Sequence, residues 1–324
     1  MKLPIVPASY FGMVLGLAGL GASWRAASQL WALPSAIGEA IMAVAVAVWA
    51  VLLVLFVLKW LVARPDALEE AAHPVLCCFI GLAGVATMLA AGAILPYSRE
   101  AAEIIGFIGM AFTLLFAVWR QGGLWQGGRD PAASTAVLYL PSVAGSFVSA
   151  IIASALGHVD WGQVIFGAGF FSWLAIESVL IHRLLTSPAT AEALRPTLGV
   201  QIAPAPVGLL AYLAVTPGQP DLPAHMLLGY GLLQTLIVLR LLPWIRKTPF
   251  AASYWAFTFG ITALATGPIR LALHGDTGPA GVLAPVLFLF ANLVVGLVGL
   301  GTLWLLVRGQ LKLKWTGAPA GLKA

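Results

Sequence analysis

Ten long apolar segments dominate the chain, and short polar clusters rich in Pro and Gly separate them. Each segment is long enough to cross a bilayer as a helix, which takes about 20 residues. The predicted spans are residues 8–25, 35–60, 74–96, 101–119, 134–157, 161–185, 196–216, 222–245, 249–270 and 282–308. The pattern predicts an all-α integral membrane protein with a single transmembrane domain, because backbone polar groups in lipid must bond within their own segment.

The composition points to the same class of protein. The 324 residues are 60% hydrophobic and 9% charged, with a mean hydropathy of +0.97. Soluble domains carry about 25% charged residues, so this chain could not cover a water-facing surface. The start, Met1-Lys2-Leu3-Pro4, lacks the small-residue cleavage site of a secretory signal. The first apolar run is therefore expected to be a retained span.

The basic residues predict the orientation of the spans. Ten spans place both termini on one side, and with the termini inside, the cytoplasmic side receives 14 basic residues and the outer side three. The inner set is Lys2, Lys59, Arg64, Arg120, Arg129, Arg183, Arg195, Arg240, Arg246, Lys247, Arg308, Lys312, Lys314 and Lys323, and the outer set is Arg25, Arg99 and Arg270. This asymmetry favours cytoplasmic termini. The net charge of +5 then reflects topology, and no nucleic-acid partner is expected. The basic tail, residues 309–324, is expected to lie against lipid headgroups.

Odd-numbered and even-numbered spans differ in texture. Odd spans contain the interior prolines Pro141, Pro204, Pro206 and Pro268, while even spans carry Trp49, Trp60, Trp119, Trp173, Trp244 and Trp304. Small residues and prolines suit helices packed on other helices, and bulky aromatics suit helices that face lipid. The simplest arrangement is five helical hairpins, with the odd helices inside and the even helices outside.

The odd spans carry no interior charge, whereas Glu39, Glu177 and Arg240 lie within even spans. A path lined by uncharged helices favours passive movement of a small ion, because coupled transporters usually keep an ionisable relay in the membrane. Hydroxyls and a basic cytoplasmic rim favour anions over cations. The alternative is plain helix packing, since most membrane helices carry no charge. The predicted pore-lining residues are Ser9, Phe11, Gly12, Thr87, Pro141, Ser142, Gly145, Ser146, Pro204, Thr258, Gly260 and Thr262.

Two phenylalanines of the ninth span, Phe257 and Phe259, are candidates for a plug in this path. They lie about 200° apart around a helix, so only one can face the axis. A phenyl ring on the axis would close the path sterically and by dewetting. Core packing of either ring is the alternative.

Glu177 is the most unusual buried candidate, because an unpaired carboxylate in a membrane is costly. Arg240 lies at a comparable depth, so a structural ion pair is predicted between them, with a proton relay as the alternative. The five histidines are scattered without ligand spacing, so no metal site is expected. No nucleophile, base and orienting group come together, so neither an enzyme nor a cofactor is predicted.

Short motifs spread over nearly the whole chain carry a family resemblance. They are Tyr10-Phe11-Gly12, Leu124-Trp125-Gln126-Gly127-Gly128, Tyr139-Leu140-Pro141-Ser142-Val143-Ala144, Phe166-Gly167-Ala168-Gly169, Ala203-Pro204-Ala205, Gly229-Tyr230-Gly231, Leu239-Arg240-Leu241-Leu242-Pro243-Trp244 and Trp255-Ala256-Phe257-Thr258-Phe259-Gly260. In this order they resemble the tellurite-resistance/dicarboxylate transporter family, in its bacterial TehA branch, which is related to plant slow-type anion channels.

The resemblance implies a homotrimer in the bacterial inner membrane. Each subunit would have its own pore, formed by five inner helices in a quasi-five-fold ring. The gating phenylalanine of the family precedes a glycine, so it maps to Phe259 and leaves Phe257 packed away from the axis. One departure is Glu177-Ser178, where TehA-like sequences tend to have Glu-Pro.

The sequence supports two functional hypotheses. The first is a passive channel for inorganic anions such as chloride or nitrate, obstructed by Phe259. The second is a secondary transporter that exports tellurite or sulfite, or exchanges C4-dicarboxylates. A membrane scaffold is a third and weaker hypothesis, because the polar loops are too short to form docking domains.

Overall fold

The computed structural model describes residues 4–128 and 130–311, together with the backbone of residues 314 and 315. The helices are α1 (Gly12–Trp31), α2 (Ser35–Val62), α3 (Arg64–Ala72), α4 (Gly81–Ile94), α5 (Arg99–Trp125), α6 (Gly145–Ala155), α7 (Val159–Thr186), α8 (Pro204–Val215), α9 (Leu222–Ile245), α10 (Thr258–Leu273) and α11 (Pro279–Val307). Lys2, Arg129, Lys312, Lys323 and most of the predicted tail 309–324 lie outside the described residues. Within the described residues, the regular secondary structure is helical apart from two paired dipeptides.

Nine helical segments of the described chain are long and apolar enough to cross a membrane. They are Ser35–Val62, Leu76–Ile94, Arg99–Trp125, Ala136–Ala155, Val159–Thr186, Glu192–Val215, Leu222–Ile245, Ala252–Leu273 and Pro279–Val307. Helix α1 has 20 residues but is less apolar, because Ser23, Arg25 and Gln29 interrupt its hydrophobic sequence.

These segments fall into two groups by burial. The segments that contain α4, α6, α8 and α10 have 72–83% of their apolar core buried inside the protein, whereas α2, α5, α7, α9 and α11 have 22–33%. Helix α1 belongs with the first group, since all four of its glycines are buried. We call α1, α4, α6, α8 and α10 the buried helices and the other five the exposed helices. The exposed group presents large apolar side chains, which suits contact with lipid.

Each buried helix packs against the exposed helix that follows it in the chain: α1 with α2, α4 with α5, α6 with α7, α8 with α9, and α10 with α11. The buried helices also contact one another in the order α1, α4, α6, α8 and α10, and α10 contacts α1 in turn. Each buried helix therefore has two buried neighbours, and it also contacts the exposed helix that precedes it in the chain, or α11 in the case of α1.

Each buried helix is preceded by an irregular helical turn instead of a regular first turn. The turns are Ala8–Phe11, Leu76–Ile80, Leu140–Ala144, Glu192–Ile202 and Ala252–Phe257. A proline lies within each turn or at most three residues before it: Pro7, Pro74, Pro141, Pro196 and Pro249. Proline fixes its own φ and disfavours α geometry in the residue before it, so these positions resist a regular α start. We call this end of the buried helices the turn end and the other the helical end.

Glycines and hydroxyls join α1 to α10 along the length of the two helices. A side chain at Gly16 or Gly19 would collide with Thr258 Oγ1 or Thr262 Oγ1, at 2.2 and 2.1 Å. One turn further on, the hydroxyls of Ser23 and Thr266 lie 2.6 Å apart. Small residues of this kind let two helix backbones approach closely, which drives packing in lipid.

Two dipeptides near opposite ends of the chain pair with each other. Residues Pro4–Ile5 (β1) pair in antiparallel fashion with Lys314–Trp315 (β2). The first dipeptide comes shortly before the turn Ala8–Phe11, so β1 and β2 both lie at the turn end of the bundle.

Candidate pore

A cavity of about 150 Å³ opens between the turn ends of the five buried helices. Every buried helix and its preceding turn contribute to the wall, which is lined by Ser9, Gly12, Leu15, Leu76, Phe79, Leu82, Tyr139, Leu140, Val143, Ala144, Phe147, Ala193, Leu194, Thr197, Val200, Ala203, Pro204, Val207, Ala252, Ser253, Trp255, Ala256 and Phe259. All of these residues are uncharged, and most are apolar. The lining residues recur about every three or four positions along each helix, which is the period of one helix face.

The deep end of the cavity is apolar. The lining residue furthest along each buried helix is Leu15, Leu82, Phe147, Val207 or Phe259, one per helix. A small ion that passed from the cavity toward the helical end would meet this collar of side chains without hydrogen-bonding groups. An apolar constriction of this kind resists water and ions even where it is not fully closed.

The two aromatic rings of the collar are held differently. Phe147 is fully buried, lies 5.7 Å from the ring of Phe166 and packs against Gly169 and Gly208. Phe259 is only partly buried, and its ring borders the cavity and approaches Gly19. Both rings border the cavity, but Phe259 is the more exposed of the two and Phe147 is the more tightly packed.

Phe257 occupies a different environment from Phe259. Its ring stacks on Tyr254, with centroids 6.0 Å apart, and packs so closely on Gly199 that a side chain there would lie 2.6 Å from the ring. Phe257 is 7% exposed and does not line the cavity. The two rings point to opposite sides of the turn, as their spacing requires.

A carboxylate lies directly behind the cavity wall. Glu177 of α7 accepts hydrogen bonds from Tyr139 Oη (2.6 Å) and Trp173 Nε1 (2.7 Å) at Oε2. Its Oε1 accepts from Tyr230 Oη (2.7 Å) and Gln201 Nε2 (2.8 Å). Gln234 Nε2 is a fifth donor, at 3.4 Å from Oε1. These five neutral donors satisfy a buried carboxylate without a cation, because each hydrogen bond to a carboxylate is charge-assisted. Tyr139 also lines the cavity, so the carboxylate is one side chain away from it.

Comparison with known proteins places the chain in a family. The family model described as the SLAC1 voltage-dependent anion channel matches residues 6–303. The chain belongs to the SLAC1 family.

Individual relatives in this family include bacterial and plant proteins. The tellurite resistance protein TehA homolog of Haemophilus influenzae is 36% identical over 310 residues, which is 95% of this chain and 93% of that protein. The guard cell S-type anion channel SLAC1 of Arabidopsis thaliana is 24% identical over 312 residues, which is 92% of this chain but 55% of that protein. An uncharacterized transporter of Methanocaldococcus jannaschii is 25% identical over 242 residues, 66% of this chain and 68% of that protein.

In this SLAC1-family protein, some of the predicted pore residues border the cavity. Ser9, Gly12 and Pro204 line its wall, and Phe259 lines its deep end. The remaining nine predicted residues lie elsewhere in the bundle.

Several of those nine lie between helices. Thr258 and Thr262 fill the space over the α1 glycines, and Gly260 lies against the backbone of Ala203. Phe11 packs edge-on against Phe56, with centroids 5.6 Å apart.

The others face exposed helices or neighbouring turns. Thr87 Oγ1 accepts from Trp49 Nε1 at 3.0 Å, and Ser142 Oγ accepts from Gln121 Nε2 at 2.9 Å. Gly145 lies against Thr113, Ser146 lies against Gly169, and Pro141 lies against Gly81. Their hydroxyls and small volumes serve contacts between helices at these positions.

The predicted ion pair between Glu177 and Arg240 is wrong. Arg240 is exposed on α9, and within the described chain Glu177 is held by neutral donors. Gln234 and Tyr230 mark the face of α9 that meets the carboxylate. Arg240 follows Gln234 by six residues, which rotates it about 120° away from that face. The sequence indicates the depth of a residue in the membrane, but it does not indicate which way its helix is rotated.

Sequence reasoning did not single out the other four members of the collar, Leu15, Leu82, Phe147 and Val207. Their only signal is helical spacing from residues that line the cavity, such as Leu15 three positions after Gly12. The same spacing is typical of ordinary core packing.

Proposed function

We propose that this protein is a passive anion channel whose pore runs between the five buried helices and is gated by Phe259. The observation that carries the proposal is the cavity, an uncharged path built from one face of every buried helix that ends at a partly exposed phenyl ring. Small inorganic anions such as chloride or nitrate are the proposed permeant ions. The family name and the plant S-type anion channels among the relatives support this reading.

The proposed membrane arrangement has ten spans as five hairpins in a ring, with the buried helices inside. Nine spans would place the segments before the first span and after the last span on opposite sides of the membrane. Because β1 pairs with β2, these two segments must lie on the same side. That pairing supports an even number of crossings and therefore favours α1 as a span. The excess of basic residues on the side of the termini favours a cytoplasmic location for the turn end. The proposed location is the bacterial inner membrane, in line with the TehA relative.

The electrostatics of the turn end favour anions. All five buried helices begin there, and the aligned peptides of a helix place a partial positive charge of about +0.5 at its N-terminus. Five such termini surround an uncharged cavity, where low dielectric strengthens their effect. No acidic side chain of the described residues lines the wall to oppose them.

The test of the gate is electrophysiology on Phe259→Ala beside Phe257→Ala in planar bilayers. Removing the ring that borders the cavity is expected to raise anion current roughly ten-fold or more, which corresponds to about 1.4 kcal/mol of barrier per ten-fold step. Phe257→Ala removes a ring packed on Tyr254 and Gly199, so surviving protein should conduct like the wild type. Equal currents in wild type and Phe259→Ala would contradict the gate.

A secondary transporter remains the second candidate, because one observation favours it. Glu177 accepts a hydrogen bond from Tyr139, and Tyr139 lines the cavity. A carboxylate so placed could exchange a proton in step with substrate, such as tellurite, sulfite or a C4-dicarboxylate. The tellurite-resistance name of the bacterial relative is consistent with transport of an oxyanion.

Glu177→Gln in proteoliposomes separates the two candidates. A channel keeps its anion conductance and shows a reversal potential set by the anion gradient alone. A carrier loses proton-coupled, saturable uptake while its substrate affinity persists. Proton uptake that follows anion flux in the wild type and vanishes in Glu177→Gln would replace the channel with the carrier.

The proposed assembly is a homotrimer with one pore in each subunit. The exposed helices carry large apolar side chains such as Leu115, Leu185 and Leu300, which can meet either lipid or a neighbouring subunit. Native mass spectrometry of the detergent-extracted protein tests the subunit number. A monomer that conducts at the full rate would contradict the proposed homotrimer but would not contradict a pore within each subunit.

A further inference from the structure

Charged residues are rare in the buried helices, and two are present among their described residues. These are Arg25 of α1 and Arg270 of α10. Arg25 has a partner, since its guanidinium forms two hydrogen bonds with the carboxylate of Glu39 at 2.7 and 2.8 Å. Arg270 is exposed, and in the described part of the chain its guanidinium has no carboxylate within ion-pair distance.

The position of Arg270 on its helix is informative. Helix α10 continues from Thr258 to Leu273 although it contains Pro268, and Arg270 is the first exposed residue after ten consecutive buried ones. Eleven residues separate Arg270 from Phe259, which amounts to three turns plus about 20° and a rise of about 16 Å. Arg270 therefore lies on the same face as Phe259, nearer the helical end.

Contacts on both flanks of α10 identify this face. Thr262 lies against Gly19 of α1 on one flank, and Gly267 lies against Leu209 of α8 on the other. Phe259 and Arg270 lie between these flanks, on the face that borders the cavity at the turn end. The same face carries an apolar ring at the cavity and a cation at the opposite mouth.

Arg25 and Arg99 donate to carbonyls at the ends of α4 and α6, and a cation beside the end of α10 would act in the same electrostatic way. The five buried helices all end at the opposite mouth, and each helix C-terminus carries a partial charge of about −0.5. These termini would repel an anion from the mouth at which a passive pore must also exchange ions. A guanidinium presents several N–H donors and keeps its charge at any ordinary pH, so it can offset this field and bind an anion directly.

We propose that Arg270 forms an anion-recruiting site at the helical-end mouth of the pore, on the far side of Phe259 from the cavity. The site would take small inorganic anions from the solution outside. This inference rests on the proposed channel function, since it places Arg270 on the same path. It adds a residue that controls entry from one side and leaves the gate to Phe259.

The first test is the conductance of Arg270→Gln in the Phe259→Ala background, with chloride as the permeant ion. A unit charge about 5 Å from an anion in water favours it by a factor of about 4, so current carried by chloride entering from the helical-end side should fall about four-fold. The effect should be large at 0.01 M salt and disappear at 1 M, where the Debye length shrinks from about 30 Å to about 3 Å. Arg270→Lys keeps the charge and should retain most of the current.

The matched control is Arg240→Gln in the same background, which neutralises an exposed arginine of an exposed helix. It should leave the current and its salt dependence unchanged. The inference would be overturned if, at low salt, Arg270→Gln carried as much chloride current from the helical-end side as the Phe259→Ala background, or if Arg240→Gln lost as much current as Arg270→Gln.

The second test locates residue 270 without using conduction. The thiol introduced by Arg270→Cys should react with a membrane-impermeant reagent added on the side away from the termini, with Phe259 either present or replaced by alanine. The native Cys77 and Cys78 are buried, so the background should be low. If Phe259→Ala carries no current but the thiol reacts from that side, the proposed channel function is contradicted and the proposed position of residue 270 is supported. An unreactive thiol in folded protein refutes the mouth position even where the channel conducts.

Discussion

The turn end and the helical end of the buried helices are built from the same five segments but differ in packing. At the turn end, irregular turns such as Leu140–Ala144 hold the segments apart around a cavity. Beyond the cavity, toward the helical end, Gly19 brings α1 against α10 closely enough to exclude a methyl group. Irregular turns that contain or follow proline leave space between the segments, whereas glycine–threonine contacts bring the helices close together. Phe259 lies where the two regimes meet.

The largest expected effect on stability comes from the turn end. Phe257→Ala removes a buried ring stacked on Tyr254 and should cost about 3–5 kcal/mol of folding free energy. Phe259→Ala should cost less than half of that, because its ring already borders empty space. Thermal unfolding of both variants in detergent measures the contrast. Equal losses would mean that Phe259 is packed as tightly as Phe257, which would remove the distinction between the two rings.

The helical end is tested by filling a glycine. Gly19→Ala places a methyl group about 2.1 Å from Thr262 Oγ1, and overpacking of this kind typically costs about 1–3 kcal/mol. Thr262→Ala removes the colliding oxygen, so the double variant should recover part of the loss. The unfolding temperatures of the two single variants and the double variant give the coupling. Purely additive losses would contradict the close approach of α1 and α10.

The carboxylate cluster behind the cavity gives an intermediate effect. Glu177→Gln replaces one carboxylate oxygen with an NH₂ group, which cannot accept hydrogen bonds from the surrounding donors. The buried donors left unpaired should lower the free energy of unfolding by about 1–3 kcal/mol. Arg240→Gln should leave stability within about 0.5 kcal/mol of the wild type, as expected for an exposed residue. Detergent-solubilised protein followed by thermal unfolding shows both. A matching loss in Arg240→Gln would revive the ion pair that the structure contradicts.

The smallest effect belongs to the exposed helices. Gly299 of α11 has open space where a side chain would begin, so Gly299→Ala should raise stability by up to about 1 kcal/mol through helix propensity. Gly299→Ala should therefore raise the unfolding temperature and Gly19→Ala should lower it, and the same unfolding assay measures both. A loss of stability in Gly299→Ala would indicate a contact on that face, as a subunit interface would provide.

Residue types and their order were enough to predict class and family. A chain that is 9% charged with repeated apolar segments has to place those segments in lipid, whatever its tertiary packing. The contrast between glycine- or proline-containing spans and tryptophan-containing spans anticipates which helices are buried, because volume and flexibility decide how closely a helix can approach others. The spacing of Phe257 and Phe259 required that the two rings point to different sides.

Tertiary structure alone decided which side chains share the cavity and which carboxylate meets which donor. Thr258 and Thr262 are polar residues of the right span, yet they face α1, because the rotation of α10 is set by its packing against the glycines of that helix. Glu177 meets Tyr139, Trp173 and Gln201, which depends on the contacts of α7 with the turns beside it. Rotation and crossing of helices result from packing over the whole bundle, and a one-dimensional pattern records only periodicity.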